Sequence, residues 1–222
     1  VMAGEYVEIN TQAQSLNNSA GQIISRDTLN IDSGAINNDA GLIQAQSTLS
    51  VDTHGQWFSN TNSGEQGGLI SGGILTLTSG DVDNSDGVIS ATDVLTLNAQ
   101  SLTNRQGEIA TGGALTANVS GALNNNAGQV HANGDVTLNS ASLSNLDGTL
   151  GSAQGALSVT TGTLDNTQGA LIANQALTVS SAALTNHSGV MAGEYVEINT
   201  QAQSLNKSAG QIITRHNLNL AR

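Results

Sequence analysis

The chain's only tryptophan and only phenylalanine stand together at Trp57 and Phe58, three residues after His54 and two before Asn60. An aromatic ring offers a sugar or a partner protein an apolar platform, and His and Asn add directional hydrogen bonds beside it. His54, Trp57, Phe58 and Asn60 are therefore the candidate ligand-binding set, carried on an inserted segment at 54–67. The competing reading is packing, in which Phe58 fills a core position and Trp57 covers the loop.

Other chemistry is thinner. Asp81, Asp83 and Asp86 precede Gly87 in the manner of a calcium loop, but the position where such a loop needs a bidentate Glu holds Thr92. Asp83, Asp86, Asp147 and Asp165 recur near one feature of the repeat, yet in different registers. General acid–base hydrolysis of a glycoside needs two carboxyls within about 10 Å of each other. A lyase would also need a cation for its enolate, and Arg105 is the only basic residue in the middle of the chain. His131 and His187 are isolated. The expectation is no catalytic residues, no metal and no cofactor.

Composition narrows the partners. Five basic residues face 17 acidic ones, for a formal net charge of −12. No basic stripe exists for nucleic acid, and an anionic membrane surface would repel the chain. No apolar run reaches transmembrane length, so direct membrane insertion is not expected. Cys and Pro are both absent. The first excludes disulfide and thiol chemistry, and the second suits a chain of internal strands, where each N–H is needed for a ladder bond.

What must position all of these residues is a repeat. Leu-x-Asn-x-x-Gly-x-Ile runs from Leu102 to Ile109 and returns in variant form at 123–130, 143–150, 164–171 and 184–191. Its glycine falls at Gly21, Gly41, Gly68, Gly87, Gly107, Gly128, Gly148, Gly169, Gly189 and Gly210, about 20 residues apart except between Gly41 and Gly68. Aliphatic residues then come in pairs at spacing two, as in Leu95/Leu97 and Leu177/Val179, which is strand periodicity. The units are too short for hairpins, so each strand must pair with its own copy in the next unit. The reading is all-β: a single-stranded right-handed parallel β-helix of about ten coils, with three short strands per coil. Residues 1–222 form one continuous segment.

Three residues before most of these glycines stands an asparagine: Asn18, Asn38, Asn84, Asn104, Asn125, Asn145, Asn166 and Asn186. Stacked amides can bond to the copies above and below. Parity with the preceding Leu points them inward, and the glycine then serves a corner that needs either positive φ or close backbone approach. Lys207 takes the asparagine position in the last coil. An inward Lys would be costly, so there either the corner opens to solvent or the parity fails.

Stretches such as Leu102 to Ala117 and Leu164 to Val179 resemble the haemagglutinin repeats of filamentous haemagglutinin-like exoproteins, and the resemblance covers nearly the whole chain. It implies a β-helical shaft belonging to a large bacterial surface protein, secreted or held at the cell surface and exported by two-partner secretion. It also implies an outer-membrane partner transporter during export, and a host or neighbouring-cell receptor engaged by other regions. Adhesins and contact-dependent inhibition effectors share this plan. The family's secretion domain, adhesive regions and toxin tip have no counterpart in these residues.

A longer repeat lies over the short one. Residues 1–31 recur as 190–220 with 26 of 31 positions identical, an offset of nine coils. This predicts that the 190–220 segment restarts a 189-residue block present in further copies in a longer parent. The functional expectation is a structural rod that presents a distal binding or toxin module. The alternative is a segment that is itself adhesive, through the Trp57 loop.

Overall fold

The computed structural model describes residues 1–64 and 67–221. Its 29 strands fall into two sheets, and no helix occurs among the described residues. Every registered pairing is parallel and joins a strand to its copy one coil on, as in Leu95↔Leu115 and Leu97↔Ala117. The first strand of each coil builds an 11-stranded sheet, and the second and third strands build an 18-stranded sheet around the remaining faces. The molecule is a β-solenoid of about 11 turns, one more than the glycine count suggests, because Met2–Gly4 pairs ahead of the first anchored coil.

Alternation along each strand sends one set of side chains into the rod. Ile23, Ile43, Ile89, Ile109, Val130, Leu150, Leu171 and Met191 line the interior of the 11-stranded sheet, all at most 3% exposed. Leu95 and Leu97, or Leu177 and Val179, fill it from the second strand, and Ile36, Val82, Leu102 and Leu184 from the third. Each fully buried aliphatic side chain contributes about 1.5–3 kcal/mol. The interior is a stack of aliphatic columns, each residue lying on its copy in the next coil.

Two differences from the expected pattern have local causes. In three coils the second and third strands merge, as Val136–Ser144, Leu157–Asp165 and Ala176–Thr185. The corners there pair in register through Ser140, Thr161 and Ser181, and the pairing skips only the residues just after them, Ala141, Gly162 and Ala182. In the coil after Trp57, Gly68 pairs with Leu42, which places Leu69 in the core column beside Ile43 and leaves Ile70 outside. The anchor glycine of that coil is therefore Gly67, one residue earlier than the glycine count takes it. With two adjacent glycines the spacing is ambiguous, and the backbone register decides.

The inserted segment is two separate bulges with an undistorted strand between them. Phe58–Ser59 keeps register with Ile36–Asn37 on one side and Val82–Asp83 on the other. One bulge precedes it at Thr53–Gln56, and the other follows Asn60. Glu65 and Gln66 lie outside the described residues.

Candidate functional site

The Asn-x-x-Gly corner is the most regular polar structure in the rod. Each ladder asparagine is buried, and as far as Asn166 its Nδ2 donates to Oδ1 of the next rung. The bonds Asn18→Asn38, Asn84→Asn104, Asn104→Asn125 and Asn145→Asn166 are each 2.7 Å. Asn125→Asn145 is 2.8 Å and Asn166→Asn186 is 2.7 Å. The same Nδ2 reaches the carbonyl of its own corner glycine and a backbone carbonyl one coil further, as Asn104 does with Gly107 O and Gln129 O at 3.2 Å each. Among the described residues no buried side-chain nitrogen or oxygen is left without a partner.

Asn60 belongs to this ladder. It is 0% exposed, accepts from Asn38 Nδ2 at 2.7 Å and donates to Asn84 Oδ1 at 2.7 Å. It therefore faces no ligand. The signal was in the sequence, because Phe58-Ser59-Asn60 keeps the spacing of Leu102-Thr103-Asn104. Only the bulge after it displaces the glycine.

The corner glycines act through close approach, not through left-handed backbone. Their φ angles are ordinary, and the residue just before each one is left-handed instead: Ala40 at φ 50°, Gln106 at 53°, Ala127 at 55° and Gln168 at 56°. A Cβ on Gly107 would overlap Asn84 O of the preceding coil and crowd Asn104 Oδ1. Gly21 meets only its own Asn18 in this way, whereas Gly41, Gly87, Gly128, Gly148, Gly169 and Gly189 each also press on the asparagine one coil back.

Lys207 is exposed, and its corner opens to solvent. Its Nζ donates to Gly210 O at 3.0 Å, replacing the amide bond that an asparagine makes to its corner glycine. Having no acceptor, it cannot receive a bond from Asn186.

Around Trp57 the four candidate residues separate. Phe58 is 1% exposed and stacks in the core column between Ile36 and Val82. It thus leaves the ligand-facing set together with Asn60. Trp57 is 47% exposed, and its carbonyl accepts from Ile36 N at 3.0 Å. His54 sits on the first bulge with φ 52°, its backbone N bonded to Asp52 Oδ1 at 2.7 Å and its Nε2 2.6 Å from Asp32 Oδ1. The hydrogen bond to Asp32, and the charges of Asp32 and Asp52, hold the His54 imidazole above its ordinary pKa. On the second bulge, Asn62 Nδ2 and Thr61 Oγ1 each donate to Asp39 Oδ1 at 2.7 Å, which keeps that carboxyl below its ordinary value. The surface-facing remainder is Trp57 and His54, beside a pair of stacked aspartates.

Sequence reading missed how the first bulge is built. Thr53 Oγ1 donates to Gln56 O at 2.6 Å, as Thr11 does to Gln14 O and Thr200 to Gln203 O in coils of similar sequence. The common signal is an Asn or Asp followed by Thr-x-x-Gln, starting at Asn10, Asp52 and Asn199. The bulge is therefore a recurring corner and not unique to the Trp57 coil. The carboxylates weighed for catalysis also have structural work. Asp83 Oδ1 accepts from Ser85 N at 2.9 Å and Asp165 Oδ1 from Thr167 N at 3.0 Å, each closing the turn beside a ladder asparagine. No group of three or more His, Cys, Asp or Glu able to hold a metal occurs among the described residues.

A polar ladder inside an aliphatic rod, repeated coil after coil with one exposed tryptophan, defines a structural repeat array. The family model for the haemagglutinin repeat matches residues 5–56, 46–119, 110–168 and 152–221, and the chain belongs to that family. No curated protein and no solved structure matches the chain.

Proposed function

We propose that this segment is a stretch of the stalk of a secreted, cell-surface bacterial filament, which carries a distal binding or toxin module away from the cell. The observation that supports it is the unbroken parallel register over 11 strands, backed by a buried ladder that crosses both bulges without a missing rung. At about 4.8 Å per coil the segment extends the filament by roughly 50 Å. Family membership supports export through an outer-membrane partner transporter, with receptor contact left to other regions. The test is to excise residues 1–189 in frame from the parent protein. The stalk should shorten by nine coils in electron micrographs while the distal module keeps its activity. An unchanged length, or a collapsed filament, refutes the stalk reading.

A second reading rests on the exposed Trp57. Its ring lies on the surface one residue before a fixed core position, in column with Ala35 and Asp81, which suits stacking on a sugar. Binding of the isolated segment to a glycan array, lost in Trp57→Ala, would make the segment adhesive in its own right. Absence of binding, or binding indifferent to that substitution, leaves the stalk reading alone.

A further inference from the structure

The asparagine ladder stops before the backbone pairing does. Nine asparagines from Asn18 to Asn186 are joined by eight amide–amide bonds. Nine coils is also the offset at which residues 1–31 return as 190–220. The ladder therefore closes in the first coil of the restarted block, and the residue that closes it is Lys207. In the other copy that position is Asn18, which donates to Asn38 Oδ1 at 2.7 Å.

The backbone passes Lys207 undisturbed. Leu205–Asn206 pairs in register with Leu184–Thr185. Asn186 N donates to Asn206 O at 2.7 Å, Ser188 N to Ser208 O at 2.9 Å and Gln211 N to Gly189 O at 2.8 Å. Gly210 N bonds to Lys207 O at 3.0 Å as Gly21 N does to Asn18 O at 2.8 Å, and Ala209 has φ 54° where Ala20 has 50°. The corner is built the same way with either residue. Ser25 and Thr214, another pair that differs between the copies, keep the same bond, to Glu5 O at 2.7 Å and Glu194 O at 2.9 Å. At Lys207 only the side-chain ladder is lost.

The break is clean. An amide carries two N–H donors and an accepting oxygen, whereas an ammonium carries three donors and no acceptor. Asn186 Nδ2 donates to Gly189 O and Gln211 O at 3.2 Å each, so neither N–H is orphaned. The interface between these two coils is thus weaker by one amide–amide bond, with no further desolvation cost.

We propose that Lys207 is a joint built into the rod. The coils from Asn18 to Asn186 open as one unit, and the coil beyond Lys207 opens separately and more readily. In a repeat array, stability is a sum of units and nearest-neighbour interfaces, so one weakened interface decides where the array parts. In a stalk under tension the rod would yield at the block boundary while the ladder inside the block stays whole. That consequence alone rests on the stalk reading.

Native-state hydrogen exchange of the 222-residue chain tests the joint, whatever the rod is for. In the wild type the amides of Gln211–Thr214 should exchange through a local opening that leaves Glu108–Thr111 protected. Lys207→Asn gives Asn186 an amide to donate to, and should raise protection over Gln211–Thr214 by about five- to tenfold. Simple fraying of a chain end would not respond to that substitution. Asn186→Ala removes the donor, so in that background Lys207→Asn should add no protection. Unchanged protection in Lys207→Asn overturns the proposal. So does a gain that survives Asn186→Ala, because it would come from removing the charge and not from restoring the ladder.

Discussion

Replacing Asn104 with Ala removes one rung from the middle of the ladder. Two amide–amide bonds disappear, the donation to Asn125 Oδ1 and the acceptance from Asn84 Nδ2, both 2.7 Å. Asn84 Nδ2 keeps two carbonyl partners, Gly87 O at 3.2 Å and Glu108 O at 3.1 Å. Asn125 Oδ1 loses the amide that donates to it, at a site that is 0% exposed. Each lost bond costs about 1 kcal/mol, and the orphaned acceptor costs about 1–3 kcal/mol more. The expected loss is about 3–5 kcal/mol. Asn118→Ala is the control: this exposed asparagine donates to Asn98 Oδ1 at 3.0 Å in water, and its loss should cost less than about 0.5 kcal/mol. Urea unfolding followed by circular dichroism measures both, and equal slopes would show that the two variants unfold the same structure. If Asn104→Ala costs no more than Asn118→Ala, the ladder is incidental and the aliphatic columns alone hold the coils together.

Gly107→Ala should cost more than about 3 kcal/mol in the same assay, because its methyl would press on Asn84 O, a backbone atom that cannot swing aside. Gln106→Gly should instead be neutral or stabilise by up to about 1 kcal/mol, since left-handed backbone costs a side-chain-bearing residue about 1–2 kcal/mol. Phe58→Ala should cost about 3–5 kcal/mol and Trp57→Ala under about 1 kcal/mol, which separates the buried ring from the exposed one by melting experiments. The His54 imidazole should titrate by NMR above its ordinary value of 6.5 and fall back toward it in Asp32→Asn. Since its folded pKa is the raised one, the His54–Asp32 contact stabilises most fully below pH 6.5 and fades as pH rises through that folded value.

The fold was legible because it is written many times. Aliphatic pairs at spacing two, returned every 20 residues or so, leave parallel stacking as the one arrangement that pairs every strand. The ladder column was readable for the same reason wherever the glycine followed its asparagine by three. Where one coil departs from the pattern, the spacing misleads. Anchoring on Gly68 shifted that coil by one residue and hid Asn60 from its own column, because a bulge changes the residue count without changing the register of the backbone on either side. The corner hydroxyls were invisible for a different reason. Ser25, Ser71 and Ser152 looked like merely small residues, yet each donates from the corner to a backbone carbonyl of the adjoining turn. Small size and hydrogen-bonding capacity coincide in serine, and spacing alone does not separate them.

Every amide–amide bond of the asparagine ladder, from Asn18 to Asn186, runs in the same direction, from the earlier coil to the later. The amides are therefore aligned dipoles, and the rod is a vector with acceptor oxygen facing one way and donor nitrogen the other. A coil can be added only in the sense of the chain. Two such rods brought together by matching ends would oppose donor to donor or acceptor to acceptor at the centre of the joint.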